Sequence, residues 1–190
     1  MKYICNTENL IDWDAVIVQC QSRTDGDKNT VTSVVDRSEA EAVGDQKLLG
    51  YYRKVIGTWQ DAGYNLQEIY WYDYYPGTHF PQEVCDKFSQ LVGAKPLRVF
   101  VSEVFPGVVV PYHWDVEDKE EEWLSQYGNL VRYVCCIDKP RYASVMLFDK
   151  EYLYFNKQGD VYEWNSYRDF HSAANGGESP QYYFHFLGYK

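Results

Sequence analysis

The sequence predicts an α+β fold in which helices in the N-terminal half support an antiparallel β-barrel in the C-terminal half. Before residue 97, apolar residues recur at helical spacing. From Leu97 onward, short β-branched and aromatic segments are separated by Gly, Pro, Asp and Asn. Many short strands at near-regular spacing are typical of a sandwich or barrel. The 190 residues suit a single domain, with helical support over about 1–96 and the barrel over about 97–190.

Two helices are expected before the barrel in the chain, and both are expected to pack outside it. Ser38 and Glu41 form an S-x-x-E capping box at the start of a helix over about 38–62, in which apolar residues recur at helical spacing. A second helix is expected to begin at Pro81 and to end before Gly93. The residues expected on its buried face are Val84, Phe88, Leu91 and Val92.

The rest of the N-terminal half is expected to contain strands and loops. The apolar runs Tyr3–Cys5 and Ala15–Val18 favour short strands, and the polar residues 22–37 favour a loop. Trp71–Pro76 is an aromatic cluster that favours a packed seam between helices and barrel, with stacking on a substrate as the alternative. The acidic residues in 117–122 favour a solvated loop within Val116–Gln126, although they could also attract a cationic peptide.

Strands of the barrel are expected in seven segments. Each is rich in β-branched and aromatic residues, and turn residues separate them. These segments are 97–105, 108–114, 130–137, 143–148, 151–156, 160–164 and 182–189.

Charge, hydropathy and cysteine content bear on the partners and the location of the protein. The chain carries 18 basic and 28 acidic residues, a net charge of −10, and has no basic stripe, which disfavours nucleic acids and anionic membranes. No apolar run reaches membrane-spanning length, and the first residues lack a signal-peptide core. Five cysteines without CxxC spacing indicate reduced thiols in a cytoplasmic protein. They are Cys5, Cys20, Cys85, Cys135 and Cys136.

A candidate metal site involves two of the four histidines. His113 and Asp115 are two residues apart at the end of a predicted strand, so both side chains can face one ion. His171 precedes the last predicted strand. Two histidines and one carboxylate on one face of a metal leave positions open, which is the arrangement of non-haem Fe(II) oxygenases.

The segments around these residues resemble the 2-oxoglutarate/Fe(II) oxygenases, especially their prolyl-hydroxylase-like and aspartyl/asparaginyl-hydroxylase-like branches. Val104–Gly107 followed by Val108–Asp115 is similar to the family's "YPG, short strand, HxD" segment. Leu130–Pro140 resembles the strand that follows, and Gly159–Ala173 resembles the approach to the distal histidine. Gln181–Tyr189 occupies the position of the final barrel strand.

This resemblance implies a double-stranded β-helix of the jelly-roll or cupin-like type, with Fe(II) as metal and 2-oxoglutarate as cosubstrate. It implies hydroxylation of a small-molecule or peptide substrate that the sequence does not identify. The family usually carries Arg or Lys on the last strand to bind the distal carboxylate of 2-oxoglutarate, where this chain offers only Gln181. Arg132, on the strand after the H-x-D segment, is the candidate substitute. Strand alternation places it on the same face as Val134 and Cys136, which this role requires to be the inner face. His185 shares a strand face with Gln181 and could also lie near the cosubstrate.

Two other functions are compatible with the same residues. One is a cupin-like metalloprotein whose metal acts as a Lewis acid in non-oxidative chemistry. The other is a barrel-shaped binding module without catalysis.

Overall fold

Two antiparallel β-sheets lie face to face and form the body of the protein. The computed structural model describes residues 1–22, 29–30, 46–64, 69–74, 81–114, 120–164 and 169–190. Within these ranges the strands are β1 (Lys2–Asn6), β2 (Asn29–Thr30), β3 (Ile69–Tyr74), β4 (Lys95–Val104), β5 (Val109–His113), β6 (Leu130–Cys136), β7 (Ser144–Phe148), β8 (Glu151–Leu153), β9 (Asp160–Trp164), β10 (His171–Asn175) and β11 (Gln181–Tyr189). The helices in the same ranges are α1 (Trp13–Gln21), α2 (Gln46–Asp61), α3 (Gln82–Val92) and α4 (Glu120–Tyr127). None of these described helices combines the length and apolar character needed to cross a bilayer.

The strand order identifies the fold. The larger sheet has the order β1-β9-β6-β11-β4-β3-β2 and the smaller sheet the order β5-β10-β7-β8. The described strand pairs are antiparallel. From β4 to β11 the chain passes back and forth between the sheets, so that β9-β6-β11-β4 faces β5-β10-β7-β8. This is the order of a double-stranded β-helix, or jelly roll, and it confirms the predicted fold class.

Strand alternation gives the larger sheet two different buried faces. Its outer face is covered by α1 and α3, where the Phe184 ring centroid lies 5.3 Å from that of Trp13 and 4.9 Å from that of Phe88. Burying one such large apolar side chain stabilises the fold by about 1.5–3 kcal/mol. The inner face meets the smaller sheet in a second cluster, which comprises Val104, Val108, Val134, Cys136, Met146, Phe148, Leu153, Phe155, Trp164, Ala173 and Tyr183.

The predictions for α3 and for the barrel segments are confirmed. Pro81 is the N-cap of α3, and Gly93 ends the helix in the left-handed conformation with φ 64°. All seven predicted barrel segments contain a strand. One detail of α3 differs, because Cys85 is buried and Leu91 is exposed. The buried stripe follows positions 85, 88 and 92, which is narrower than the apolar pattern of the sequence.

The prediction of a strand at Ala15–Val18 is wrong, since these residues belong to α1. The Asp12 carboxylate accepts a hydrogen bond from the Ala15 backbone N–H at 3.0 Å and caps the helix. Trp13, Val16 and Cys20 then face the core at helical spacing. A run of four apolar residues does not by itself distinguish the alternating pattern of a strand from the repeat of a helix. The strand predicted at Tyr3–Cys5 is confirmed as part of β1.

Helix α2 lies closer to the barrel interior than expected. It covers Gln46–Asp61 of the predicted 38–62, and the capping box of Ser38 and Glu41 falls outside the described residues. Both helices were expected outside the barrel. That holds for α3, whereas Ile56 and Trp59 of α2 contact the inner cluster.

Three further segments differ from the sequence analysis. Within the expected acidic loop, residues 120–127 form α4. In the aromatic cluster, residues 71–74 belong to β3, whose backbone pairs with β4 and extends the larger sheet. Strand β10 was not predicted, because Ser-Ala-Ala-Asn after His171 has low strand propensity.

The five cysteines are free thiols, as expected. Cys135 belongs to the apolar cluster under α1 and α3, which is the outer cluster, and Cys136 belongs to the inner cluster between the sheets. Neighbouring residues in a strand face opposite sides of the sheet. Burial raises the pKa of both thiols, which keeps them neutral and unreactive.

Gly159 occupies a position where a side chain does not fit. Its φ is +81°, and an added Cβ would lie 2.4 Å from the backbone nitrogen of Glu8. We expect Gly159→Ala to lower the free energy of unfolding by about 3 kcal/mol in urea denaturation. Gly63 is the matched control, because its φ is +87° but nothing lies within 4 Å of an added Cβ. Gly63→Ala should lower it by only about 1 kcal/mol, and equal losses would contradict this assignment.

Candidate metal centre

Pairing of β5 with β10 places His113 and His171 side by side. They are direct cross-strand partners, and their ring centroids are 4.5 Å apart with an interplanar angle of 47°. Cross-strand partners project to the same face of a sheet. The two imidazoles can therefore reach a single ion, as the sequence predicted for this pair.

Backbone carbonyls fix the tautomer of both rings. His113 Nδ1 lies 2.6 Å from the Pro111 carbonyl oxygen, and His171 Nδ1 lies 3.1 Å from the Asp169 carbonyl oxygen. A carbonyl oxygen can only accept, so each Nδ1 donates its proton and the lone pair lies on Nε2. This outer hydrogen bond is the one that metal-binding histidines ordinarily make.

The third predicted ligand, Asp115, lies outside the described residues. It follows His113 by two positions at the end of β5. Within the described part of the chain, no group of three His, Cys, Asp or Glu residues is arranged to hold a metal. Asp115 as the third ligand stays a prediction.

Aromatic rings enclose the histidine pair. The His171 ring lies 5.7 Å from Phe148 and 5.4 Å from Trp164, and Trp59 of α2 meets His113 edge-on at 5.7 Å. His171 is buried. His113 is half-buried. Shielding by these rings strengthens electrostatic interactions at the buried His171. Phe148 and Trp59 could not be assigned to the site from local sequence patterns, because only the tertiary packing brings them there.

A β-bulge precedes His113. The register between β10 and β5 shifts between His171 and Ala173, whose partners are His113 and Val110. Bulges are frequent next to active sites because they change the direction of a side chain. Outside the barrel, Phe170 stacks on Tyr112 at 5.1 Å and so joins the segments that carry the two histidines.

Arg132 lies inside the barrel. It is 5% exposed, and its cross-strand partners are Trp164 on β9 and Leu187 on β11. Together with these residues and His185 it lines a small cavity that is partly open to solvent. The predicted inward orientation of Arg132 is confirmed, whereas its role in binding an anion stays a prediction.

His185 lines the same cavity. Its Nε2 lies 2.8 Å from Ser102 Oγ, and its ring is parallel to Phe100 at 4.3 Å. Trp164 lies between it and the metal centre, since that indole is 6.4 Å from the His185 ring and 5.4 Å from the His171 ring. His185 therefore belongs to the cavity wall rather than to the ligand set.

Gln181 does not lie near the histidine pair. Its Nε2 donates to Cys136 Sγ at 3.4 Å, and its cross-strand partner is Val104. Val104 O accepts from Asn175 Nδ2 at 2.8 Å, and Asn175 is at the far end of β10 from His171. Four residues of strand span about 13 Å. The expected contact of Gln181 with the cosubstrate is therefore corrected: this residue closes the opposite end of the barrel.

Comparisons with known proteins give similarities of fold alone. No protein-family model and no curated protein matches the chain. Similar solved structures include the cupin_2 domain of an XRE-family transcriptional regulator from Enterobacter cloacae (14% identity, 65% of this chain, 99% of that chain, TM-score 0.41). They also include the DMSP lyases RdDddP and RnDddQII (13% identity, 65% of this chain, 48% of that chain, TM-score 0.41). A third is the Schizosaccharomyces pombe Cnp3 cupin domain (10% identity, 65% of this chain, 66% of that chain, TM-score 0.40). The chain spans about half the length of the lyase chain. At these TM-scores the assignment of fold rests on the strand order.

The predicted ligand set of His113, Asp115 and His171 implies a specific pattern of mutant phenotypes. His113→Ala, His171→Ala and Asp115→Ala should each weaken Fe(II) binding in anaerobic calorimetry by more than the roughly 10–100-fold expected for loss of an outer-shell partner. Each variant should keep its cooperative thermal unfolding. His185→Ala is the control and should bind Fe(II) like the wild type. Wild-type affinity in any of the first three variants would remove that residue from the ligand set.

Proposed function

We propose that this protein is a non-haem Fe(II)- and 2-oxoglutarate-dependent oxygenase that hydroxylates a small-molecule or peptide substrate. One observation carries the proposal: His113 and His171 lie side by side in a double-stranded β-helix, with the lone pair of each ring on Nε2, the nitrogen that would bind the metal. The buried Arg132 in the adjoining cavity supports the choice of a carboxylate cosubstrate.

The donor set fits Fe(II). Two imidazole nitrogens with the Asp115 carboxylate would form a facial triad that leaves positions open on the metal. When bound, the metal and 2-oxoglutarate supply the activation of O₂ that is coupled to oxidative decarboxylation. The Pro111 and Asp169 carbonyls hold the two rings in the orientation that this ligand set requires.

Arg132 would bind the distal carboxylate of 2-oxoglutarate. A carboxylate transferred into a cavity of this kind needs a compensating charge, because an unpaired buried carboxylate is very unfavourable. A guanidinium presents two parallel N–H donors to a carboxylate. Trp164 is the cross-strand partner of Arg132 and contacts the His171 ring, so the cavity adjoins the metal centre.

Anaerobic spectroscopy tests the proposal as a whole. Addition of 2-oxoglutarate to the Fe(II) protein should produce a weak metal-to-ligand absorption band near the green region. Binding of Fe(II) without this band would favour a cupin-like metalloprotein with non-oxidative chemistry. Failure to bind Fe(II) would favour a non-catalytic binding module.

Substitution of Arg132 tests the anchor. Arg132→Ala should raise the apparent Kd of 2-oxoglutarate about tenfold or more, because a charged hydrogen bond contributes about 1.5–3 kcal/mol. Fe(II) affinity should hardly change. Arg132→Lys, which keeps the charge but loses the bidentate geometry, should give an intermediate Kd. Gln181→Ala is the control for the opposite end of the barrel, and normal binding in Arg132→Ala would place the anchor elsewhere.

A further inference from the structure

The turn between β7 and β8 contacts both segments that carry the paired histidines. The Asp149 backbone N–H donates to the Phe170 carbonyl at 2.7 Å, one residue before His171. The Asp149 carbonyl accepts from the Tyr112 hydroxyl at 3.0 Å, one residue before His113. A single residue of this turn therefore holds the neighbour of each histidine.

The backbone before His113 lies in the β-bulge, where strand pairing does not fix it. Between the paired positions His113 and Val110, two residues of β5 lie opposite one residue of β10. The two residues are Pro111 and Tyr112, and a proline has no N–H to donate to a neighbouring strand. The hydrogen bond from Tyr112 to Asp149 supplies a constraint that the ladder lacks at this point.

This constraint acts on the carbonyl that orients His113. The Pro111 carbonyl and the Tyr112 nitrogen belong to one planar peptide unit. His113 Nδ1 lies 2.6 Å from the oxygen of that unit. Rotation of the unit would move the acceptor away and allow the ring to adopt its other tautomer. The bond from the Tyr112 hydroxyl to the turn limits this rotation.

A similar arrangement supports His171. Its Nδ1 lies 3.1 Å from the Asp169 carbonyl oxygen, which belongs to the peptide unit that leads into Phe170. The bond from Asp149 to Phe170 extends the pairing of β7 with β10 by one residue. The Phe170 ring stacks on Tyr112 with an interplanar angle of 29°. The two supports are therefore joined to each other as well as to the turn.

Asp149 has an unusual backbone conformation. Among the described residues other than glycine, it alone has a positive φ, of 50°. Most residues adopt this conformation unfavourably, although Asp and Asn tolerate it. Such conformations persist where the surrounding structure enforces them, and they are frequent at functional sites. The Asp149 side chain is exposed, so its two backbone groups are what connect the turn to the histidine segments.

We propose that the Asp149 turn, Tyr112 and Phe170 form a positioning element for the histidine pair. Strand pairing places the two rings side by side, and this element fixes their orientation with the lone pair on Nε2. Tyr112 and Phe170 are positioning residues, since they act through two backbone carbonyls and not by contact with an ion. The consequence for metal binding rests on the proposed function, whereas the orientation of the rings is a property of the metal-free protein.

Proton–nitrogen correlation spectra of the neutral imidazoles test the proposal in the metal-free protein. In the wild type both rings should carry their proton on Nδ1, and a proton on Nε2 would overturn the proposal. Tyr112→Phe keeps the stacked ring and removes the hydroxyl, so the Nε2–H tautomer of His113 should become populated. Tyr152→Phe is the matched control, because Tyr152 is an exposed tyrosine on β8 beside the same turn. Identical spectra of the two variants would overturn the proposal.

Fe(II) affinity extends the test to the metal. In anaerobic calorimetry, Tyr112→Phe should bind Fe(II) about threefold to tenfold more weakly than Tyr152→Phe, because one neutral hydrogen bond is lost. The two metal-free variants should unfold at similar temperatures. A lower unfolding temperature of Tyr112→Phe with unchanged tautomers and unchanged affinity would show a merely structural role and overturn the proposal.

Substitution of Asp149 tests the backbone contact. Asp149→Gly keeps the N–H and permits a positive φ, so it should match the wild type in both measurements. Asp149→Pro removes the donor to Phe170 and excludes a positive φ, so the tautomer of His171 should become mixed. If Asp149→Pro does not fold, the comparison of Tyr112→Phe with Tyr152→Phe decides. If the wild type binds no Fe(II) but the tautomers respond as stated, the proposed function fails and the positioning element stands.

Discussion

The antiparallel pairing of β5 with β10 is the constraint on which the site depends. It makes His113 and His171 cross-strand partners although they are far apart in the chain. Further hydrogen bonds stabilise this pairing. Ser172 Oγ donates to the Val110 carbonyl at 2.7 Å, and Gly107 N donates to the Asn175 carbonyl at 2.7 Å. A shift of register by one residue would turn one histidine to the opposite face of the sheet. The geometry of the histidine pair is therefore a property of the strand pairing and not of a loop.

The two ends of the barrel serve different purposes. At the closed end, Gln181, Asn175 and Ser144 are buried and hydrogen-bonded to neighbouring strands or to one another. At the other end, His171 and Arg132 are also buried. Arg132 lines the aromatic-walled cavity, and the His171 ring contacts Trp164 of the cavity wall. Buried charge is unfavourable for folding, so proteins retain it where binding or catalysis requires it. The outer cluster under α1 and α3 provides apolar stability that can offset this penalty.

Sequence patterns predicted the barrel and the histidine pair for physical reasons. Strand alternation is local, so segments such as 97–105 and 130–137 were identified and Arg132 could be placed on the inner face. The register between two strands that are far apart in the chain cannot be inferred from local patterns. Counting residues after His171 therefore could not show that Gln181 pairs with Val104 at the far end of the barrel. The same limit applies to Trp59, which reaches His113 only through the packing of α2.

X-ray absorption at the iron edge of the 1:1 Fe(II) complex tests the central claim most directly. If His113 and His171 hold one metal, the spectrum will show the multiple scattering of two imidazole ligands, with oxygen atoms completing the coordination. Substitution of either histidine by alanine will leave one imidazole. A wild-type spectrum with one imidazole or none would contradict the account, since the paired strands would then be placing these rings together for another reason.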